Sequence, residues 1–282
     1  MSISIADLLR EASQKLRDAG VPEARREAGS LLSFVIGKDR TFLISHADDL
    51  VGDEELTRFR SAVERRASGE PLQYITGVQD FFGREFRVTP DVLIPRPETE
   101  LLVEAALEVI AEETDPRICD VGTGSGCIAV TLLCERNDAR AIAVDISEAA
   151  LAVAAENARR HGVDDRIVFE VSDCFAAIDS QFDLIVSNPP YVSADALNGL
   201  QREVKDHEPL VALSPGADGL SVIRRLVRDA PSFLKKSGHL IMEIGFDQGE
   251  NVEALIDQNW RLLEIRSDLQ GIPRIVVLQK RG

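Results

Sequence analysis

The apolar run Phe182-Asp183-Leu184-Ile185-Val186-Ser187 ends in Asn188-Pro189-Pro190-Tyr191, a set of residues able to hold a nitrogen. Two prolines fix the backbone and remove two N–H donors, so the nearby carbonyl oxygens face outward as acceptors. Asn188 adds a side-chain acceptor that stays uncharged at any pH. Tyr191 offers a flat face on which a planar group can stack. An amide or amino nitrogen conjugated to a π system is weakly nucleophilic and needs such help. The Asn188 side chain and the Pro189 carbonyl would hold its two N–H bonds and aim it at an electrophile, so that positioning supplies much of the barrier reduction. No strong base is required, and none of the four histidines lies in a recognisable catalytic context. Alone, a proline-rich turn after a strand is common; its meaning depends on what precedes it.

What precedes it is a glycine loop. The segment Asp120-Val121-Gly122-Thr123-Gly124-Ser125-Gly126 ends one apolar run and opens a helical one. Glycines let the backbone turn sharply and approach a ligand, and a helix start offers free N–H groups. The spacing is G-x-G-x-G with an acid two residues earlier, not the dinucleotide G-x-G-x-x-G. It resembles the loop of Rossmann-like methyltransferases, which implies S-adenosylmethionine as cofactor and Asp120 near its methionine amino group. A second run, Ala141 to Asp145, ends in an acid about twenty residues past the loop, where a carboxylate can accept both ribose hydroxyl hydrogens. A third ends in Asp173-Cys174, which in the methyltransferase pattern flank the adenine. Each acid alone reads as a solvated strand end; three in series on successive strands read as a cofactor site.

These residues need a scaffold to bring them together. Strands are expected at 117–121, 140–146, 166–172, 182–187, 238–244, 261–267 and 273–279, with helices at about 127–136 and 148–160 between the first three. Such alternation implies an α/β fold, a mostly parallel sheet with helices on both faces. Upstream, residues 78–94 alternate around Gly83 as a hairpin. Residues 1 to about 75 read as amphipathic helices: one capped by Ser4 and Asp7, one following Pro22 and stopped by Gly37, and one capped by Asp53 and running to Gly69. The expected domains are a helical bundle at 1–76, a β-hairpin linker at 77–94 and a cofactor-binding domain at 95–282.

The 282-residue chain is 44% hydrophobic and 28% charged, with a net charge of −16. That balance opposes a nucleic-acid partner, which is usually met by a basic stripe. Its start lacks a signal-peptide pattern and no run approaches a membrane span, so a cytoplasmic protein without membrane contact is expected. Cys119, Cys127, Cys134 and Cys174 form no CxxC pair and no zinc-ligand cluster, so no metal is expected.

Three upstream stretches, Pro71-Leu72-Gln73-Tyr74-Ile75-x-Gly77, Phe82-Gly83-x-x-Phe86-x-Val88 and Val92 through Glu100 (VLIPRPETE), closely resemble the PrmC/HemK family. So do Glu208-Pro209, Gly216-x-Asp218-Gly219-Leu220, Glu243-Ile244-Gly245 and Gly271-x-x-Arg274. The resemblance spans nearly the whole chain. It implies a class I methyltransferase with a seven-stranded mixed sheet, acting on the side-chain amide nitrogen of the glutamine in the Gly-Gly-Gln motif of class-one peptide chain release factors. By it, Asp120, Gly122, Thr123, Gly124, Ser125, Gly126, Asp145, Asp173, Cys174 and Asn188 line the cofactor site. Asn188, Pro189, Pro190 and Tyr191 bind the glutamine, and the loop Pro95, Arg96, Pro97 and Glu98 closes over it. Cys174 departs from the bulky aromatic that relatives often carry. Two rivals are an amino-group methyltransferase acting on adenine or guanine in DNA or RNA, which the charge opposes, and a non-catalytic adaptor, which would have no need of two poised acceptors.

Overall fold

The computed structural model describes residues 3–282. They divide into two compact units: one through Gly77 that also takes in Gln201–His207, and one formed by Val78–Leu200 with Glu208–Gly282. Among the described residues, no helix is long and apolar enough to cross a membrane.

The first unit contains α1 (Ile5–Asp18), α2 (Ala24–Ile36), α3 (Arg40–Ser45), α4 (Asp53–Ala67) and α5 (Leu72–Thr76). Their apolar stripes meet in a core that includes Leu8, Leu16, Leu31, Leu32 and Phe59. Helices α3 and α5 escape the sequence reading because one turn and a half shows no 3.6-residue period. Two caps differ from expectation. Ser4 does accept from the Asp7 amide at 3.2 Å, but its hydroxyl also donates to the Asp7 carboxylate at 2.9 Å. The reciprocal arm of a capping box is thus replaced by a side-chain bond. Gly52, not Asp53, is the N-cap of α4, its amide bound to Glu55 Oε2 at 3.2 Å. Asp53 sits one residue inside, where its charge meets the positive end of the helix dipole.

Arg66 on α4 is only 2% exposed and forks between Glu27 of α2 and Glu203. Glu203 lies on the short helix Arg202–His207, which explains why that segment belongs to this unit although it is distant in sequence.

In the second unit the hairpin comes first, as β1 (Val78–Phe81) and β2 (Arg84–Arg87). Phe82 and Gly83 have φ of 51° and 69°, the left-handed pair that a two-residue hairpin turn demands. Buried Phe81 and Phe86 belong to the same hydrophobic cluster as Leu102, Leu132 and Ile118. The segment read as a linker is therefore part of this unit's own core.

The main sheet contains β3 (Arg117–Val121), β4 (Arg140–Asp145), β5 (Ile167–Val171), β6 (Phe182–Ser187), β7 (Leu234–Glu243), β8 (Trp260–Ser267) and β9 (Pro273–Lys280), ordered β5-β4-β3-β6-β7-β9-β8. The first five pair in parallel, and β9 pairs antiparallel with both β7 and β8. Helices α6 (Glu100–Val109), α7 (Cys127–Glu135) and α8 (Glu148–Arg160) pack in this unit. Strand β7 begins four residues before its expected start, because Lys235, Lys236 and Ser237 hide its first half behind polarity. The chain moves outward through β3, β4 and β5, then returns to β6 on the other side of β3. That reversal is a topological switch point, outside whose carboxyl ends ligands of open α/β sheets bind.

Replacing Arg66 with Ala would leave two carboxylates facing each other without their shared cation. The expected loss is about 3 kcal/mol of stability, since breaking a buried ion pair strands its partner. A thermal melt should show a lowered midpoint for Arg66→Ala. Arg66→Lys should fall between the two, because an ammonium cannot fork across two acids.

Candidate active site

At the switch point, β3 gives way to the glycine loop beside the tip of β4. Gly122 and Thr123 both donate to the Val144 carbonyl, at 2.8 and 3.0 Å. Gly124 donates to Asp145 Oδ2 at 2.9 Å, while Asp145 Oδ1 accepts from the Ser147 amide at 3.0 Å. Each carboxylate oxygen therefore keeps one further lone pair for a ligand. Gly126 opens α7, and a Cβ there would come within 3.0 Å of the Ala154 Cβ on α8. Only glycine lets α7 and α8 approach so closely. Asn157 of α8, fully buried, ties the arrangement to the hairpin: it donates to the Ser125 carbonyl at 2.8 Å and the Arg87 carbonyl at 3.0 Å, and accepts from the Arg87 amide at 2.7 Å.

Asp120 lies behind this loop with no exposure at all. Its Oδ2 accepts from Thr123 Oγ1 at 2.7 Å and from the Ala129 amide at 3.3 Å, whereas Oδ1 has no partner. Burial pushes its carboxyl up to about 7, against those two hydrogen bonds and with a smaller upward push from Asp145.

On the other side of the cleft, Ser187 Oγ donates to the Val121 carbonyl at 2.7 Å and pins β6 to β3 as the chain leaves the sheet. Asn188 Nδ2 donates to Thr99 Oγ1 at 3.1 Å, and Thr99 Oγ1 donates to Glu243 Oε2 at 2.6 Å. Tyr191 donates its hydroxyl to Glu243 Oε1 at 3.2 Å. Among the described residues, nothing donates to Asn188 Oδ1 or to the Pro189 carbonyl. Both stand as free acceptors.

The sequence-derived residues distribute unevenly around this cleft. Gly122, Thr123, Gly124, Ser125, Asp145, Asp173, Cys174, Asn188, Pro189, Pro190 and Pro95 line it. Asp120 and Gly126 lie behind the lining and support it. Asp173 reaches the cleft, but its carboxylate is ion-paired with Arg225 at 2.8 Å. Arg96, Pro97 and Glu98 do not line it: Arg96 is bound to buried Glu208, whose other oxygen accepts from the Ile94 amide at 3.3 Å. The Tyr191 ring also stays out of the lining and packs against a second core cluster, held by its bond to Glu243. Sequence reasoning missed Thr99, Glu243, Ile146 and Val222. Thr99 lay inside one recognised stretch and Glu243 opened another, but neither carried a local sign of what it would touch.

A carboxyl raised from 3.8 to about 7 holds a proton in the folded chain that it loses in the unfolded one. Its contribution to stability is therefore full below the unfolded value and lost as pH rises through about 7. Asp120→Asn removes that dependence. Denaturant melts from acid to mildly alkaline pH should show the variant gaining on the parent as pH rises, by on the order of 1–3 kcal/mol. A gap that stays constant across the range would mean Asp120 does not titrate there.

The chain matches known proteins along nearly its whole length. Residues 7–77 match the family described as PrmC N-terminal domain, and residues 98–205 the methyltransferase small domain. A release factor glutamine methyltransferase of Cereibacter sphaeroides is 47% identical over 96% of this chain and 96% of its own length. One from Koribacter versatilis is 44% identical over 95% and 96%. The solved structure of a ribosomal protein L11 methylase from Lactobacillus delbrueckii subsp. bulgaricus superposes with a TM-score of 0.50 at 22% identity, covering 72% of this chain and 89% of that one. A 16S rRNA N2 G1207 methyltransferase of T. thermophilus gives 0.51 at 19% identity, covering 73% and 50%. These two likenesses extend to the Rossmann-like fold, whereas the first two run through both units. With nearly half its residues shared over almost the entire length, the chain belongs to the release factor glutamine methyltransferase family.

Proposed function

We propose that this chain transfers a methyl group from S-adenosylmethionine to a glutamine side-chain amide nitrogen of a peptide chain release factor, the glutamine of the Gly-Gly-Gln motif in class-one factors. The observation that carries the reading is the pair of unclaimed acceptors, Asn188 Oδ1 and the Pro189 carbonyl, across the switch-point cleft from the glycine loop. The cleft fits the cofactor. Asp145 keeps lone pairs for two ribose hydroxyls after binding Gly124 and Ser147. Exposed Ile146 and buried Cys174 supply apolar surface for the adenine where relatives often use a bulky aromatic. The orphaned Oδ1 of Asp120 lies two residues before the glycine loop that would cradle the methionine end.

S-adenosylmethionine, when bound, supplies an electrophilic methyl group on a sulfonium sulfur. The chain's own residues do the rest by placement. Asn188 and Pro189 each accept one N–H bond of the glutamine amide and fix the direction of its nitrogen. As that nitrogen becomes positive its N–H bonds grow more acidic, so both acceptors bind more tightly in the transition state than before it. The proton then leaves a strongly acidic centre, and no strong base is needed. The net charge of −16 supports a protein substrate over a nucleic-acid backbone. A translation factor as substrate would place this work in the cytoplasm.

Radiolabel transfer to purified release factor, with duplex DNA and ribosomal RNA offered alongside, tests the reading directly; label on nucleic acid alone would refute it. Asn188→Ala should keep cofactor binding and lose roughly 10²–10³ in single-turnover rate, as when one oxyanion-hole donor is removed. In calorimetry, Asp145→Ala should lose about 1.5–3 kcal/mol of cofactor affinity for each hydroxyl bond to the charged acceptor. Unchanged affinity would take Asp145 out of the site.

A further inference from the structure

We infer that Thr99 and Glu243 are positioning residues that decide which end of the Asn188 amide faces the reacting nitrogen. The inference rests on the reading that Asn188 holds the substrate amide. An asparagine side chain presents an oxygen at one end and an NH2 group at the other, and the two are nearly the same shape. Only the oxygen can accept an N–H bond. With the amide reversed, an NH2 group would face the glutamine NH2 group, and two donors cannot bond. A catalytic asparagine therefore needs something to hold it the right way round.

Hydrogen bookkeeping along Asn188, Thr99 and Glu243 supplies it. A carboxylate has no hydrogen and can only accept. Thr99 Oγ1 lies 2.6 Å from Glu243 Oε2, within the range of charge-assisted O–H···O⁻ bonds. Thr99 has one hydroxyl hydrogen, and it is spent on Glu243. Toward Asn188, 3.1 Å away, the same oxygen can then only accept, so the Asn188 NH2 group must point at it. Oδ1 is turned to the opposite side, where no described residue donates a hydrogen bond to it. Tyr191 completes the arrangement by donating to the other Glu243 oxygen at 3.2 Å. Burial pushes the Tyr191 hydroxyl well above its ordinary value, so it keeps its hydrogen and stays a donor.

The polarity depends on Glu243 being ionised. Glu243 is 1% exposed, and burial raises its pKa against the Thr99 and Tyr191 bonds and the positive charge of Arg274, with Glu98 adding a further upward push. When Glu243 takes up a proton on Oε2, it becomes the donor to Thr99. The Thr99 hydrogen is then free to swing to Asn188, whose oxygen turns inward. The competent form is present above the raised pKa and lost as pH falls through it.

Single-turnover methylation of release factor at saturating cofactor tests this. Thr99→Val keeps the shape and removes the polarity; its rate should fall between roughly tenfold and a hundredfold, in line with a reacting group misplaced by about an ångström. Cofactor affinity by calorimetry should not move, and Thr99→Ser should restore most of the rate. In an Asn188→Ala background Thr99→Val should cost nothing more, because it acts only through Asn188. Glu243→Gln cannot titrate, and with its amide oxygen toward Thr99 it should keep measurable turnover while losing the parent's fall at acid pH. Thr99→Val at the parent rate, alongside a crippled Asn188→Ala, would overturn the inference and leave the proposed function standing. An active Asn188→Ala would overturn that function itself. Should Thr99→Val fail to fold, the pH profiles decide: a flat parent profile, or a Glu243→Gln profile parallel to the parent's, overturns the inference.

Discussion

Between β3 and β6 the chain reverses its direction of travel across the sheet, so the loops leaving these two neighbouring strands must part. The gap they leave is the cleft, and both groups of expected site residues are attached to its edges. The glycine loop and Asp145 hang from β3 and β4; Asn188 and the two prolines hang from β6. Parallel pairing puts all of these carboxyl ends on one side of the sheet, which no amount of local sequence could arrange alone. The Ser187 hydroxyl on the Val121 carbonyl closes the base of the gap and keeps the two edges in fixed register.

Behind each edge stands a buried carboxylic acid. Asp120 supports the loop by binding Thr123 and the Ala129 amide, and Glu243 supports Asn188 through Thr99. Burial raises both, and each is held against that burial by the hydrogen bonds it accepts. What each contributes in return is an acceptor for buried donors: Thr123 and the Ala129 amide on one edge, Thr99 and Tyr191 on the other.

The sheet was largely legible because its strands are continuous apolar runs separated by helical periods, and all seven fall at or near their expected places. Gly122, Gly124, Asp145 and Asn188 could be picked out because each ends or follows a strand, and all four line the cleft. What escaped were features that depend on distant partners. Thr99 meets Glu243 across 144 residues, Asn157 meets Arg87 across 70, and nothing near either residue forecasts the meeting. Arg96, expected from the resemblance in a loop that closes over the substrate, is ion-paired with Glu208, 112 residues further along. Tyr191, expected to offer its ring to a ligand, is instead tethered by its hydroxyl.

The visit of Arg202–His207 to the helical unit has a consequence for synthesis on the ribosome. Helices α1 to α5 emerge early and can assemble as soon as they clear the exit tunnel. Arg66 then buries itself with Glu27 alone, since Glu203 lies 137 residues further along. At about 5–20 residues per second, the second acid arrives roughly 7 to 27 seconds later. During that interval the nascent bundle carries an unfilled seat, and the later helix docks on a partner already formed. The first unit is complete only when Gln201–His207 has joined it.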